Sequence, residues 1–236
     1  MNSRLAHYAG RVFDKAIVPL TPARFRLGLQ YRRHVQFSGW EPEVQRIRSF
    51  ARPGKVAIDV GANIGLWTYA MVHSQLFKSV VAFEPNRALT EDLRRARLPA
   101  VTIINKALSD RAGTATLRAP RCGGSVLNGW ASLESQIDVA TDSFQEFDVE
   151  TIRLNDLEYQ GVGFIKIDVE GHELSLLKGG VEFFRREKPV CLLECRDRNR
   201  KQVDDFFASL GVGYQIVDTK AKFGFDLSPG NLLFSR

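Results

Sequence analysis

The chain has 236 residues, 44% of them hydrophobic and 25% charged, with nine prolines and a formal net charge of +6. That length suits one sizeable α/β domain, and the composition excludes a disordered or low-complexity chain. No run approaches the roughly 18 to 20 apolar residues of a membrane-spanning helix, and Arg11, Asp14 and Lys15 interrupt any leader-like run, so a soluble cytoplasmic protein is expected.

The excess positive charge is all N-terminal. Residues 1–50 hold nine Arg or Lys against three Asp or Glu, and the rest carries 24 of each sign. A basic end of this kind suits an acidic partner or peripheral contact with the inner face of a membrane. It also suits a solvated surface. Within it, Leu5, Ala9, Val12, Phe13, Ala16 and Ile17 recur at helical spacing, which predicts an amphipathic helix over 4–17. Residues 21–37 read both ways: Thr21 and Pro22 resemble a helix start, whereas Phe25, Leu27, Leu29 and Tyr31 alternate like a strand. Pro42 opens a predicted short helix through Val44, Ile47 and Phe50 that ends near Pro53 and Gly54. Residues 1–50 are therefore read as a basic, partly helical extension, and 51–236 as the main domain.

From Val56 onward, short apolar runs alternate with helical stretches. The runs are 56–60, 79–83, 101–105, 164–168 and 190–194, nearly continuous in hydrophobicity, as parallel strands covered on both faces require. Helices are predicted over 64–75, 87–97, 173–186 and 201–210, the third with Leu174, Leu177, Val181 and Phe184 as its buried stripe. Residues 114–118 and 150–154 alternate instead, predicting an added antiparallel strand pair around a polar loop. Residues 214–218 and 231–234 supply the last two strands. The pattern is that of an α/β, doubly wound, mostly parallel seven-stranded sheet. Cys122, Cys191 and Cys195 make no disulfide framework, and the last two, four residues apart on a strand, read as buried thiols. No metal site is expected from them.

Ligands of such sheets bind at the carboxyl ends of the strands. The first strand runs into Asp59, Gly61, Asn63 and Gly65: Gly61 permits a tight turn, and Gly65 permits close packing of the following helix. A dinucleotide fingerprint would need glycine where Asn63 stands, which counts against NAD or FAD. A phosphate-free ligand with an amine and a sulfonium fits Asp59 better. Glu84 ends the second strand, where a bidentate acceptor holds both hydroxyls of a ribose, and Asn105, Lys106 and Ala107 end the third, near the place of an adenine ring. The strand 164–168 lies next to the first and brings Asp168, Glu170 and His172 toward the reacting group. Lys166 and Asp168 share a face and are placed to pair. His172 begins a helix whose dipole favours the neutral imidazole. The proton acceptor is thus left open among Asp168, Glu170 and His172, and Glu194 is read as orienting the acceptor or as satisfying nearby backbone N–H groups.

The ordered runs WEPE (40–43), AIDVGANIGLWT, VVAFEPN, NKALSD, IKIDVEGHELSLLKGG and KPVCLLE resemble the FkbM family of methyltransferases over residues 40–236. The resemblance implies a Rossmann-like class I methyltransferase fold and S-adenosyl-L-methionine as cofactor. It places Asp59, Gly61, Asn63 and Gly65 around the methionine part with Thr68 close by, and Glu84 on the ribose. It implies O-methylation of a hydroxyl on a sugar, glycoconjugate or polyketide-like small molecule. RNA methylation is the alternative raised by the basic N-terminus, against which stands the lack of a base-stacking platform. A non-catalytic cofactor-binding module is a third reading, which has no need of intact Asp59, Gly61, Gly65 and Glu84.

Overall fold

In a computed structural model, residues 18, 20–35, 41–123, 125–134 and 141–236 are described. The helix expected over 4–17 lies outside them. The two-way reading of 21–37 resolves as a helix, α1 (Ala23–Arg33). Only Leu27 of the alternating set is buried there, packing with Leu93, while Phe25 stays exposed. A helix lets Gly28 come close to Tyr69 and lets Tyr31 pack on the Tyr69 ring at 4.8 Å.

The helix predicted from Pro42 is two short turns, α2 (Pro42–Gln45) and α3 (Ile47–Phe50), broken at Arg46. The break keeps Val44, Ile47 and Phe50 all in the core. It also leaves the buried Glu43 carboxylate to accept hydrogen bonds from Ser228 and Asn231 near the far end of the chain.

β1 (Gly54–Val60), α4 (Leu66–Ser74), β2 (Phe77–Phe83), α5 (Arg87–Arg95) and β3 (Val101–Ile104) follow as strand–helix units. Next come β4 (Ala107–Leu108), β5 (Gly113–Cys122), β6 (Ser125–Val126) and β7 (Ser143–Ile152). The chain then returns through β8 (Val162–Ile167), α6 (Glu173–Lys178), α7 (Val181–Glu187) and β9 (Val190–Glu194). It ends with α8 (Arg200–Ser209), β10 (Gln215–Ile216), α9 (Thr219–Phe223) and β11 (Asn231–Ser235).

The main sheet has seven strands in the order β10-β11-β9-β8-β1-β2-β3, parallel except around β11. This is the Rossmann-like, class I methyltransferase arrangement that the sequence predicts. The order reverses between β1 and β8, whose register sets Asp59 beside Lys166. Side chains of register partners share a face, so the polar ends of these two strands gather at one crevice.

Three departures from the sequence reading follow from packing. The helix expected over 173–186 breaks at Gly179–Gly180, where the backbone passes so close to the Ser109 carbonyl that a Cβ on Gly179 would lie 2.0 Å from its oxygen. The buried stripe is consequently Leu176, Leu177, Phe183 and Phe184, with Leu174 and Val181 only partly covered. The added antiparallel strand pair is present but longer than expected, running from Gly113 opposite Thr151 to Arg121 opposite Ser143, and it recruits β4 and β6 into a second, four-stranded sheet; Leu154 leaves it for a 3-10 turn. The strand expected over 214–218 shrinks to β10, since Asp218 caps α9 by accepting from the Ala221 N–H. Cys191 and Cys195 are buried free thiols, and Cys122 is exposed. Among the described residues no helix is long and apolar enough to cross a membrane.

Candidate active site

Two adjoining cavities open at the carboxyl ends of β1, β2 and β8, and Gly61, Asn63 and Asp168 line both. The turn after β1 divides them. Gly61 adopts φ +75, and a Cβ there would fall 1.8 Å from the Asp168 carbonyl oxygen. Only glycine lets the β1 turn lie against the end of β8 in this way. Gly65, at φ +93, is likewise crowded, though by Leu93 and Leu27 of neighbouring helices rather than by a strand.

The cleft with the larger lining runs from Glu84 to Glu170, with Leu108 and Leu117 as apolar walls. Glu84 is 6% exposed, and its two carboxylate oxygens accept from the Asn63 and Asn86 backbone N–H groups, each at 2.8 Å. Burial pushes its pKa up to about 7, against those two hydrogen bonds. Lys106 and Ala107 line this cleft. Asn105 does not. Its amide donates to the carbonyls of Glu84 and Pro85 at 2.9 and 2.8 Å, so it holds the end of β2 in place from beneath.

The cavity with the smaller lining is bounded by Glu41, Asp59, Trp67, Lys166 and Asp168. Asp59 is buried and accepts from the Thr68 hydroxyl at 2.5 Å, and burial raises its pKa to about 6. Lys166 is 1% exposed, lies 3.6 Å from Asp168 and sits over the Trp67 ring at 5.9 Å. Burial disfavours its charge, but the carboxylates of Asp168, Glu41, Glu194 and Asp59 outweigh that and hold its pKa above the usual value. The predicted pairing of Lys166 with Asp168 is present. Glu41, which sequence reasoning did not single out, accepts from the Trp67 indole N–H at 2.6 Å. It precedes Pro42 at φ +50, a conformation that costs energy outside glycine. Its only sequence signal is its place in the WEPE run.

Beyond Asp168, Glu170 also has φ +50 and faces Arg196 at 3.7 Å. Burial, then the nearby Asp168 and Glu194, push its pKa up to about 8. Glu194, reached by burial and by Asp168, rises to about 7. His172 lines the larger cleft at the start of α6 without its side chain capping that helix. Its Nδ1 lies 2.7 Å from Glu134 and its Nε2 2.9 Å from the Ser109 hydroxyl. Of the residues singled out in the sequence, Gly65, Thr68, Asn105 and Glu194 line neither cavity and the others do. Among the described residues no group of three or more His, Cys, Asp or Glu is placed to hold a metal ion.

These carboxyl groups give the fold a pH dependence of definite sign. Asp59, Glu84, Glu170 and Glu194 bind protons more tightly folded than unfolded, so each costs stability as pH rises from the unfolded value through the folded one. The ligand-free protein is therefore expected to melt at progressively lower temperature from pH 5 to pH 8. A thermal melt series across that range checks this, and a rising profile would contradict it.

A crystal structure of the methyltransferase FkbM from Methylobacillus flagellatus is similar at 18% identity with a TM-score of 0.53, covering 91% of this chain and 55% of that one. This chain thus spans about half the length of that relative. M. jannaschii TYW2, solved in complex with AdoMet, matches at 14% identity and TM-score 0.42 over 83% of this chain and 75% of that one. A precorrin-6y C5,15-methyltransferase from Geobacter metallireducens matches at 12% and 0.42 over 82% and 83%. At 18% identity the likeness to the FkbM structure concerns the fold alone. No curated protein sequence matches this chain significantly. The profile described as the methyltransferase FkbM domain matches residues 59–216, more than half of the chain and a span that holds every residue lining the two cavities except Glu41. The chain therefore belongs to the FkbM family of methyltransferases.

Proposed function

We propose that the protein transfers a methyl group from S-adenosylmethionine to a hydroxyl of an uncharged small acceptor, such as a sugar, a glycoconjugate or a polyketide-like molecule. The observation that carries the reading is Glu84, a buried carboxylate facing the larger cleft at the end of β2. A carboxylate offers about four lone-pair sites, and two are taken by backbone N–H groups. The remainder suit the paired hydroxyls of a ribose. Leu108 and Leu117 would flank the base, and the turn at Gly61 would lie against the amino-acid part. When bound, the cofactor supplies a methyl group made electrophilic by its sulfonium.

The protein's own part is to position, to exclude water and to hold a proton. Asp168 lines both cavities and stands beside the buried Lys166 ammonium, the best-placed group to take the acceptor's proton. Glu170, with its pKa near 8, retains its own proton at neutral pH. The carboxylates of Asp168 and Glu41, which line the smaller cavity, oppose a polyanion at this end, which favours an uncharged acceptor over RNA.

A ligand that binds only the native state raises the melting temperature, by about 2.7 kcal/mol of stability at 100 times its Kd. S-adenosylmethionine and S-adenosylhomocysteine are expected to raise it and NAD to leave it unchanged. A shift with NAD alone would refute the cofactor assignment. Labelled S-adenosylmethionine with neutral and anionic fractions of a cell extract then tests the acceptor class, which fails if the label enters RNA.

A further inference from the structure

The larger cleft is walled by three segments distant in sequence: 106–108 after β3, 128–133 between the strands of the second sheet, and 168–170 after β8. The middle segment folds across the cleft and is tied down at several points. Asn128 accepts from the Asn86 side chain at 3.0 Å, and the Ser132 hydroxyl donates to the Glu170 carbonyl at 2.7 Å. A further tie passes through one imidazole. His172 lies on the β8 side, its Nδ1 contacts Glu134 at the end of the middle segment, and its Nε2 contacts Ser109, next to Leu108. It is only 11% exposed.

These contacts leave the ring no lone pair for a substrate. Ionised Glu134 only accepts, so Nδ1 carries a hydrogen toward it. At Nε2 there are two arrangements. Either the Ser109 hydroxyl donates to Nε2, or that hydroxyl donates to Asp110, 3.1 Å away, and a protonated Nε2 donates to Ser109. In both, each nitrogen is committed.

We propose that His172 is a positioning residue, not the proton acceptor: with Glu134 and Ser109 it knots the three walls together and sets the shape of the nucleoside half of the cleft. The inference rests on the reading of this cleft as the cofactor site. It removes one of the three proton-acceptor candidates raised by the sequence. It also gives a role to Ser109, whose only sequence signal is its place in the NKALSD run, and to Glu134, which lies in none of the runs.

Cofactor affinity distinguishes a knot from a base, because removing a base leaves ligand binding intact whereas loosening a wall does not. Titration calorimetry with S-adenosylhomocysteine on the full chain provides the measure. His172→Asn and Glu134→Ala are each expected to weaken binding about tenfold, the scale of one charge-assisted hydrogen bond. Glu134→Gln keeps an acceptor for Nδ1 and is expected to stay within about threefold of the parent. The double variant should bind no more weakly than His172→Asn alone, since both remove one knot. Unchanged affinity in His172→Asn and Glu134→Ala overturns the proposal, as do additive losses or a failure of Glu134→Gln to restore binding. No heat with the parent protein would instead remove the cofactor reading itself, and this role with it.

Discussion

Glu84→Ala is expected to lose at least about 100-fold in affinity for S-adenosylmethionine, the largest effect of any single substitution in the larger cleft. Hydrogen bonds to a charged acceptor contribute roughly 1.5 to 3 kcal/mol each, and two ribose hydroxyls would be deprived of theirs. The damage extends past the ligand. The Asn63 and Asn86 N–H groups lose their shared acceptor, which loosens both the turn after β1 and the start of α5. Glu84→Gln is expected to fall between parent and alanine, because one amide oxygen still accepts while the NH₂ group cannot. Titration calorimetry measures all three proteins. Binding by Glu84→Ala within threefold of the parent would mean that the ribose lies elsewhere.

Asp168→Asn is expected to slow methyl transfer by about 10² to 10⁴, the usual contribution of a positioned proton acceptor. Its cofactor Kd is expected to change by less than about tenfold, since asparagine keeps the shape and the backbone bond from Asp168 N to the Val60 carbonyl. Asp168 is held with unusual firmness. Its carbonyl presses on Gly61, its carboxylate faces Lys166, and its amide closes the end of β1. The measurement is initial-rate transfer of labelled methyl into the extract fraction that the parent protein labels. A rate within tenfold of the parent would move the proton to Glu170, for which Glu170→Gln is the matching variant.

The main sheet was legible because burial on both faces leaves a local mark. Five near-continuous apolar runs lie where β1, β2, β3, β8 and β9 form. Asp59, Gly61, Asn63 and Glu84 were legible for a related reason: a strand end, a glycine turn and an acid at a strand's carboxyl edge are local features whose place in a parallel sheet is set by topology. Helix ends were less legible. The break at Gly179–Gly180 lies against the Ser109 carbonyl, a contact that no periodicity within residues 173–186 reports. The length of the second sheet depends on pairing across a loop, where alternation shows only part of each strand.

By itself, then, the sequence determined the strand order's raw material, the glycine turn after β1 and the family, because hydrophobic periodicity and short glycine-containing motifs are written in neighbouring residues. Tertiary structure alone decided what the polar side chains at the site do. His172 meets Glu134 across 38 positions and Ser109 across 63, and Glu41 reaches Trp67 across 26. Such contacts are satisfied pairs of single donors and acceptors, and a single donor or acceptor has no period. Its partner is chosen only when the sheet brings distant loops to the same crevice.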